Sequence, residues 1–380
     1  VSIGQITPAT VQQINTESEC GTSAASQYVT AGNGQIYGPN GQPVVFNGVA
    51  VDEQELPQAV GTLAQSLPGT NIVRLAVFDL NKDTAAYLMP YVLQLNAQGI
   101  TVEIEDHNYP DVLTGPALQQ AAQWYQSLAA AFIGDPYVIF GTQNEPSGSP
   151  GDVQTMITTI YNAIRSTGNN TLTLITAAGG TSLAGFSEST FANMSNVAFD
   201  LHLYNWLANY SSSLAANQST LASMVAQTQA FADQGGAIPV IIGEYGNATD
   251  GSNVDPGGQQ VVQAVDNAVQ TGQVKGAIAW EWHNPYTAAA DSVMMASTGG
   301  ATDGQYGQSV AGSIASNSSP VSCQSVASAL ASAADTSTSS PTPISTLDPA
   351  LSMAGVGGSI TTGNVEPVNS ITTASGGGSQ

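Results

Sequence analysis

The sequence predicts an α/β protein, a (β/α)8 TIM barrel with an N-terminal β-hairpin and a flexible C-terminal tail. Three observations carry that prediction: eight short β-rich runs, helical patterns alternating with them, and a length of 380 residues that fits one barrel plus tails. Strands alternating with helices pair in parallel through right-handed crossovers, and eight of them favour a closed barrel over a doubly wound sheet.

In chain order, residues 1–27 read as polar and irregular. Residues 34–46 read as the β-hairpin, with Asn40-Gly41 supplying the positive φ angles of a tight turn. Strands are expected at 44–49, 72–77, 100–105, 137–141, 172–176, 197–203, 240–243 and 276–282. Between them, a 3.6-residue apolar spacing marks helices at 84–96, 117–132, 153–165, 221–232 and 259–269. The stretch between the fifth and sixth strands has the weakest helical pattern. Past residue 334 the chain turns rich in Ser, Thr, Gly and Pro without periodicity. That divides it into a folded domain, 1–334, and a flexible tail or linker, 335–380.

Charge narrows the partners. Lys and Arg total 4 against 27 Asp and Glu, a net charge of −23, so nucleic acid and anionic membranes are excluded as partners by repulsion. No apolar run reaches the ~18 residues a membrane span needs. The chain from Val1 reads as one whose signal peptide is already removed or was never present. Charged residues make up 8%, far below the roughly 25% usual in soluble domains, and Ser, Thr, Gln and Asn supply the polarity. With 4 Lys/Arg and 3 His, little positive self-repulsion builds up in acid. A secreted, extracellular protein adapted to an acidic environment is expected. Nothing suggests a coiled coil or an exposed apolar face, so a monomer is expected.

Cys20 and Cys323 stand near opposite ends of the folded region. The first and last elements of a closed barrel are neighbours, so a disulfide is expected, worth ~2–5 kcal/mol over so long a loop. Two unpaired thiols are the alternative. Asn193 and Asn217 begin Asn-X-Ser sequons, which arise readily by chance in so Ser/Thr-rich a chain.

In such a barrel the active site lies at the C-terminal strand ends. There the sequence places Arg74, then Glu105-Asp106-His107-Asn108, Gln143-Asn144-Glu145-Pro146, His202-Leu203-Tyr204-Asn205-Trp206, Gly243-Glu244-Tyr245-Gly246 and Trp280-Glu281-Trp282-His283-Asn284. All three histidines and three of the four tryptophans fall at these ends. Each residue alone has an ordinary structural reading, but their joint placement marks one polar, aromatic cleft.

As a set these residues resemble the cellulase family of retaining glycoside hydrolases, family 5, over about residues 30–320. The resemblance rests on the hairpin followed by Asn47-Gly48-Val49, and on Arg74, His107, Asn144-Glu145-Pro146, His202 with Tyr204, Gly243-Glu244 and Trp280. It implies Glu145 as general acid/base and Glu244 as nucleophile. It further implies that Arg74 holds Glu244 ionised and that Asn144 bonds the sugar 2-hydroxyl. His107, His202 and Tyr204 would line the −1 subsite, with Trp280 as its floor.

The chemistry fits those roles. Retention needs two carboxyl groups about 5–5.5 Å apart, one protonated and one ionised. A desolvated carboxyl facing an anion is expected to have its pKa raised, which would suit Glu145 as the acid. Tyr204 is placed to donate a hydrogen bond to Glu244. Trp280, Trp282, Trp206 and Tyr245 offer flat faces to sugar rings. Trp280 and Trp282 point the same way under period-two alternation, leaving either as the floor and turning Glu281 outward. Glu103, Glu105 and Asp106 form an acidic run where apolar residues are usual; Asp106 is read as bonding a neighbouring loop, and their crowding suits an enzyme working in acid. This chemistry needs no cofactor, and the histidines and cysteines lack metal-ligand spacing.

The expected function is endo-hydrolysis of a β-1,4-linked polysaccharide, first an endo-β-1,4-glucanase and alternatively an endo-β-1,4-mannanase. A catalytically inactive carbohydrate-binding barrel is the reading from another class, and it would be expected to lack one of the two carboxylates.

Overall fold

The computed structural model describes residues 28–31, 33–108, 111–208, 213–246, 258–283 and 304–317. The expectations for residues 1–27, for the tail at 335–380 and for the Cys20–Cys323 pair lie outside those residues. The chain enters through an antiparallel pair, β1 (Val29–Ala31) and β2 (Gln35–Tyr37). After β2 the expected hairpin closes around Asn40-Gly41: Tyr37 bridges Pro43 in antiparallel fashion, and Val44 N donates to Ile36 O at 2.9 Å. At that turn only Gly41 is left-handed, with φ +73. Asn40 acts instead through its side chain, whose Oδ1 accepts from Gln42 N at 3.0 Å, while Gly38 N donates to Gln42 O at 2.8 Å.

The barrel strands follow: β3 (Phe46–Asp52), β4 (Ile72–Val77), β5 (Thr101–Asp106), β6 (Val138–Gly141), β7 (Thr173–Thr176) and β8 (Val197–Leu203). A short antiparallel pair, β9 (Ala232–Asp233) and β10 (Gly236–Ala237), precedes β11 (Val240–Tyr245) and β12 (Gly276–Ala279). Parallel pairing runs β3-β4-β5-β6-β7-β8-β11-β12 and back to β3, so the sheet closes and leaves no edge. The chain is a TIM barrel.

Helices cover the barrel: α1 (Leu56–Ser66), α2 (Ala85–Asn96), α3 (Gly115–Ala131), α4 (Pro150–Arg165), the short α5 (Glu188–Phe191), α6 (Leu214–Thr228), α7 (Gly258–Gln270) and α8 (Gly304–Asn317). α5 occupies the stretch with the weakest helical pattern. α4 shows why local sequence makes a helix: Ser149 Oγ accepts from Asp152 N at 3.2 Å, Pro150 opens the first turn, and Arg165 lies in the last. Its apolar face, Val153, Met156, Ile157, Ile160 and Ile164, is wholly buried.

Side-chain alternation along the strands separates two cores. Val73, Phe140, Ile175, Phe199 and Ile242 face the helices. Phe46, Ile72, Ile139, Leu174, Ala198, Ile241 and Ile278 fill the lower barrel interior with Tyr28 and Tyr137. Gly48 lets β3 approach β4 here, because a Cβ would stand 1.8 Å from the Ile72 carbonyl oxygen. One step further along the strands the inward positions turn charged.

Candidate active site

The upper interior holds Arg74 on β4, Glu103 and Glu105 on β5, Thr176 on β7, and Asp200 and His202 on β8, all essentially inaccessible. Strand register brings them level, since Arg74 lies opposite Glu103 and His202 opposite Glu244. A register shift in β11 between Ile242 and Glu244 brings Glu244 into the cleft and leaves Tyr245 in the outer core, 1% exposed. Tyr245 is therefore no sugar platform.

Both Glu244 oxygens are held. Arg74 Nη1 donates to Oε2 at 2.7 Å, and Tyr204 OH donates to Oε1 at 2.6 Å. Arg74 Nη2 also donates to Asn144 Oδ1 at 2.9 Å and lies 3.2 Å from Glu105 Oε2. Glu105 Oε1 meets His107 Nδ1 at 2.6 Å, and His107 Nε2 meets Asn144 Nδ2 at 3.2 Å. One assignment satisfies this run: Nδ1–H donates to Glu105, and Nε2 accepts from the Asn144 amide. Glu105 thus orients His107, a role its place in the sequence did not disclose.

Glu145 follows β6 with φ 37, a left-handed conformation uncommon outside glycine and frequent at functional sites. Its side chain is 27% exposed, and Oε1 accepts from His202 Nδ1 at 2.8 Å. The other His202 nitrogen faces Asp200 Oδ2 at 3.5 Å. Two glycines make room for this line: a Cβ on Gly180 would strike the His202 ring at 2.8 Å, and one on Gly243 would lie 1.9 Å from Asp200 Oδ1.

The electrostatics correct one expectation. Burial alone would raise Glu145, but the His202 hydrogen bond and charge, with Arg74, bring it below the usual carboxylate range. Burial disfavours the His202 cation, yet Glu244, Asp200 and the bond to Glu145 outweigh it and hold the imidazole well above its ordinary value. The resting pair is an imidazolium and a carboxylate.

Trp280 and Trp282 part company. Strand β12 ends at Ala279, so period-two alternation does not extend to them. Trp280, at the cis peptide with Glu281, stays partly exposed and stacks on His107 at 4.8 Å and 15°. Trp282 is buried in the outer core. Glu281 is fully buried and shares a hydrogen bond with Asp52. The side chain of Trp206 and all of Asn284 lie outside the described residues. Asp106 accepts from Asn108 N at 3.0 Å, closing its own following turn where a bond to a neighbouring loop was expected. Phe78, an aromatic the sequence reading passed over, is 38% exposed and packs against His107 at 4.8 Å. Its signal was a Phe directly after a barrel strand. Of the sequons named above, Asn217 is fully buried and closed to modification in the folded chain, whereas Asn193 is exposed.

Among the described residues, only Glu145, His202 and Glu244 bring metal-type donor atoms together, within 4.8 Å of one another. They do not fit a metal: Arg74 already places a guanidinium 2.7 Å from Glu244, and His202 carries its own proton to Glu145. Two carboxylates across a small gap, one clamped by two donors and one beside a partly open surface, are equipped for proton transfer and nucleophilic attack.

Comparison with known proteins agrees with this geometry. No curated protein matches the chain. A mannanase catalytic domain from Streptomyces sp. SirexAA-E shares the fold with TM-score 0.62 and 19% identity, over 79% of this chain and 95% of that one. An endoglucanase catalytic domain from Thermobifida fusca gives 0.62 and 16%, over 77% and 98%. A β-glucanase from Saccharophagus degradans in complex with cellotetraose gives 0.63 and 13%, over 77% and 94%. The family model described as cellulase (glycosyl hydrolase family 5) matches residues 40–286. The chain therefore belongs to glycosyl hydrolase family 5, the cellulase family, and is a glycoside hydrolase.

Proposed function

We propose that the chain is a retaining endo-β-1,4-glucanase in which Glu244 is the nucleophile and Glu145 the general acid/base. One observation carries this reading: a carboxylate oxygen from each lies within 4.8 Å of the other, on the short side of the separations that distinguish retaining from inverting enzymes. Glu244, fixed by Arg74 and Tyr204, attacks the anomeric carbon while Glu145 gives its proton to the departing glycosidic oxygen. Water, deprotonated by Glu145, then releases the sugar from Glu244. Before attack, Glu145 must take up a proton despite the His202 bond, which places the working range on the acid side. Trp280, His107 and Phe78 form the aromatic wall against which the sugar faces pack.

A glucan is favoured because a relative in this fold was seen with cellotetraose. The test is reducing-sugar release from carboxymethyl-cellulose, galactomannan, barley glucan and xylan, with proton NMR of the first product. Release of β-anomer from the glucans supports the proposal, and preference for galactomannan makes the enzyme a mannanase. Inversion, or no release from any of them, overturns it. We further propose that the enzyme is secreted as a monomer and works in acid. Buried carboxyls support the last point: burial raises Glu53 to about 7 and both Asp106 and Asp135 to about 6. Raised carboxyl values stabilise the fold in acid, and that contribution is lost as pH climbs through them.

A further inference from the structure

One buried carboxyl takes no part in the proposed mechanism. Glu103 is 0% exposed, inside the barrel, opposite Arg74 in the strand register. Neither of its oxygens has a hydrogen-bond partner, and Arg74 Nε lacks one too. The space is built for it, since a Cβ on Gly141 of β6 would lie 2.3 Å from Glu103 Oε1. An apolar residue would fill that space without leaving two oxygens unbonded, so the carboxyl calls for a functional account.

The charges around it are lopsided. Arg74 on β4 and His202 on β8 are cationic, and Glu105 on β5, Asp200 on β8 and Glu244 on β11 crowd the same guanidinium. From the helix side Tyr125 of α3 feels Glu103, as a neutral phenol. A further anion here would have no cation of its own. We propose that Glu103 is a positioning residue: neutral in acid, it leaves Arg74 to Glu244, and once ionised it draws the guanidinium toward itself and loosens the clamp on the nucleophile. Burial pushes Glu103 well above the usual carboxylate range, Arg74 opposes, and Asp200 and Glu105 add to the rise. Its contribution to stability is thus complete below the ordinary carboxylate range and disappears as pH rises through the folded value.

This rests on Glu244 being the nucleophile, so the experiment reads the two ideas separately. Wild type and Glu103→Gln are followed from about pH 3 to about pH 8 by two measurements. The first is the rate of covalent labelling by a fluorosugar inactivator with a dinitrophenolate leaving group, which needs no general acid. The second is the melting temperature. Glutamine keeps the shape and cannot ionise. The two proteins are expected to agree in acid and to diverge as pH rises, the variant labelling about tenfold faster and melting higher near neutrality. Parallel profiles in both measurements overturn the role of Glu103. Absence of label on Glu244 in either protein at any pH overturns the nucleophile assignment, and the melting curves then still decide whether Glu103 holds its proton. Should Glu103→Gln not fold, the infrared C=O band of a water-excluded carboxylic acid in wild type replaces it. A band persisting to near-neutral pH supports the proposal, and its loss with the ordinary carboxyls overturns it.

Discussion

The two halves of the barrel interior use the same inward positions for opposite purposes. In the lower half Phe46, Ile72, Ile139, Leu174, Ala198, Ile241 and Ile278 form an apolar plug. One inward step along the same strands stand Arg74, Thr176, Asp200 and Gly243. The plug gains from removing apolar area from water, and almost any well-packed set of similar volume would serve. The upper layer desolvates one guanidinium and several carboxylates, which costs stability unless each is closely paired. Architecture alone therefore does not determine what an inward position does; its height along the strand does.

Glu244→Gln should break the comparison hardest. It removes the oxygen proposed to attack while Arg74 and Tyr204 keep an isosteric partner. Activity is expected to fall by about 10⁴-fold or more with folding preserved, read by hydrolysis rate and melting temperature on the same samples. Phe46→Ala should do the reverse. Emptying a fully buried aromatic site in the plug is expected to cost about 3–5 kcal/mol of stability in denaturant titration, with kcat of the folded enzyme nearly unchanged. Equal damage to both quantities in either variant would mean that the halves are not separable.

The pair of tryptophans shows both where the sequence was legible and where it was not. Strand order, and the gathering of Arg74, His107, Glu145, His202 and Glu244 at strand ends, could be read because basic and imidazole groups are so scarce here: 4 Lys/Arg and 3 His. Trp280 and Trp282 could not be told apart, because alternation holds only while the strand lasts and β12 stops at Ala279. The shift inside β11 likewise separates Glu244 from Tyr245, and no residue type in Gly243-Glu244-Tyr245 announces it. Glu103 and Glu105 looked out of place because Arg74, which crowds with both, stands on the neighbouring β4, and register is a property of the closed sheet. The lowering of the Glu145 pKa depends on the hydrogen bond and charge of His202, which only the assembled β6 and β8 ends bring together.

That distinction is testable. Trp280→Ala is expected to raise KM for soluble glucan by about 10- to 100-fold, as a stacking face is lost, with a small change in melting temperature. Trp282→Ala should instead cost about 3–5 kcal/mol in stability, with KM of the folded enzyme close to wild type. The opposite assignment of effects would put Trp282 back in the cleft.

The smallest effect belongs to Asp200, which touches neither the proposed nucleophile nor the acid/base. Its Oδ2 lies 3.5 Å from His202 Nε2 and accepts from Thr176 Oγ1 at 3.2 Å. His202 in turn donates to Glu145. Asp200→Asn removes one of the negative charges that keep His202 an imidazolium, so the His202 value falls. Glu145 then loses part of the charge-assisted bond that stabilises its anion, and its own value rises. The proposed mechanism needs Glu145 protonated, so the alkaline limb of kcat/KM should move upward by about one pH unit. The acid limb should move much less. In a His202→Gln background the same Asp200→Asn change should leave the alkaline limb in place, because the imidazole that carries the effect is gone. A shift of equal size in both backgrounds would show that the effect does not pass through the imidazole, and that the line from Asp200 through His202 is scaffolding without a share in proton transfer.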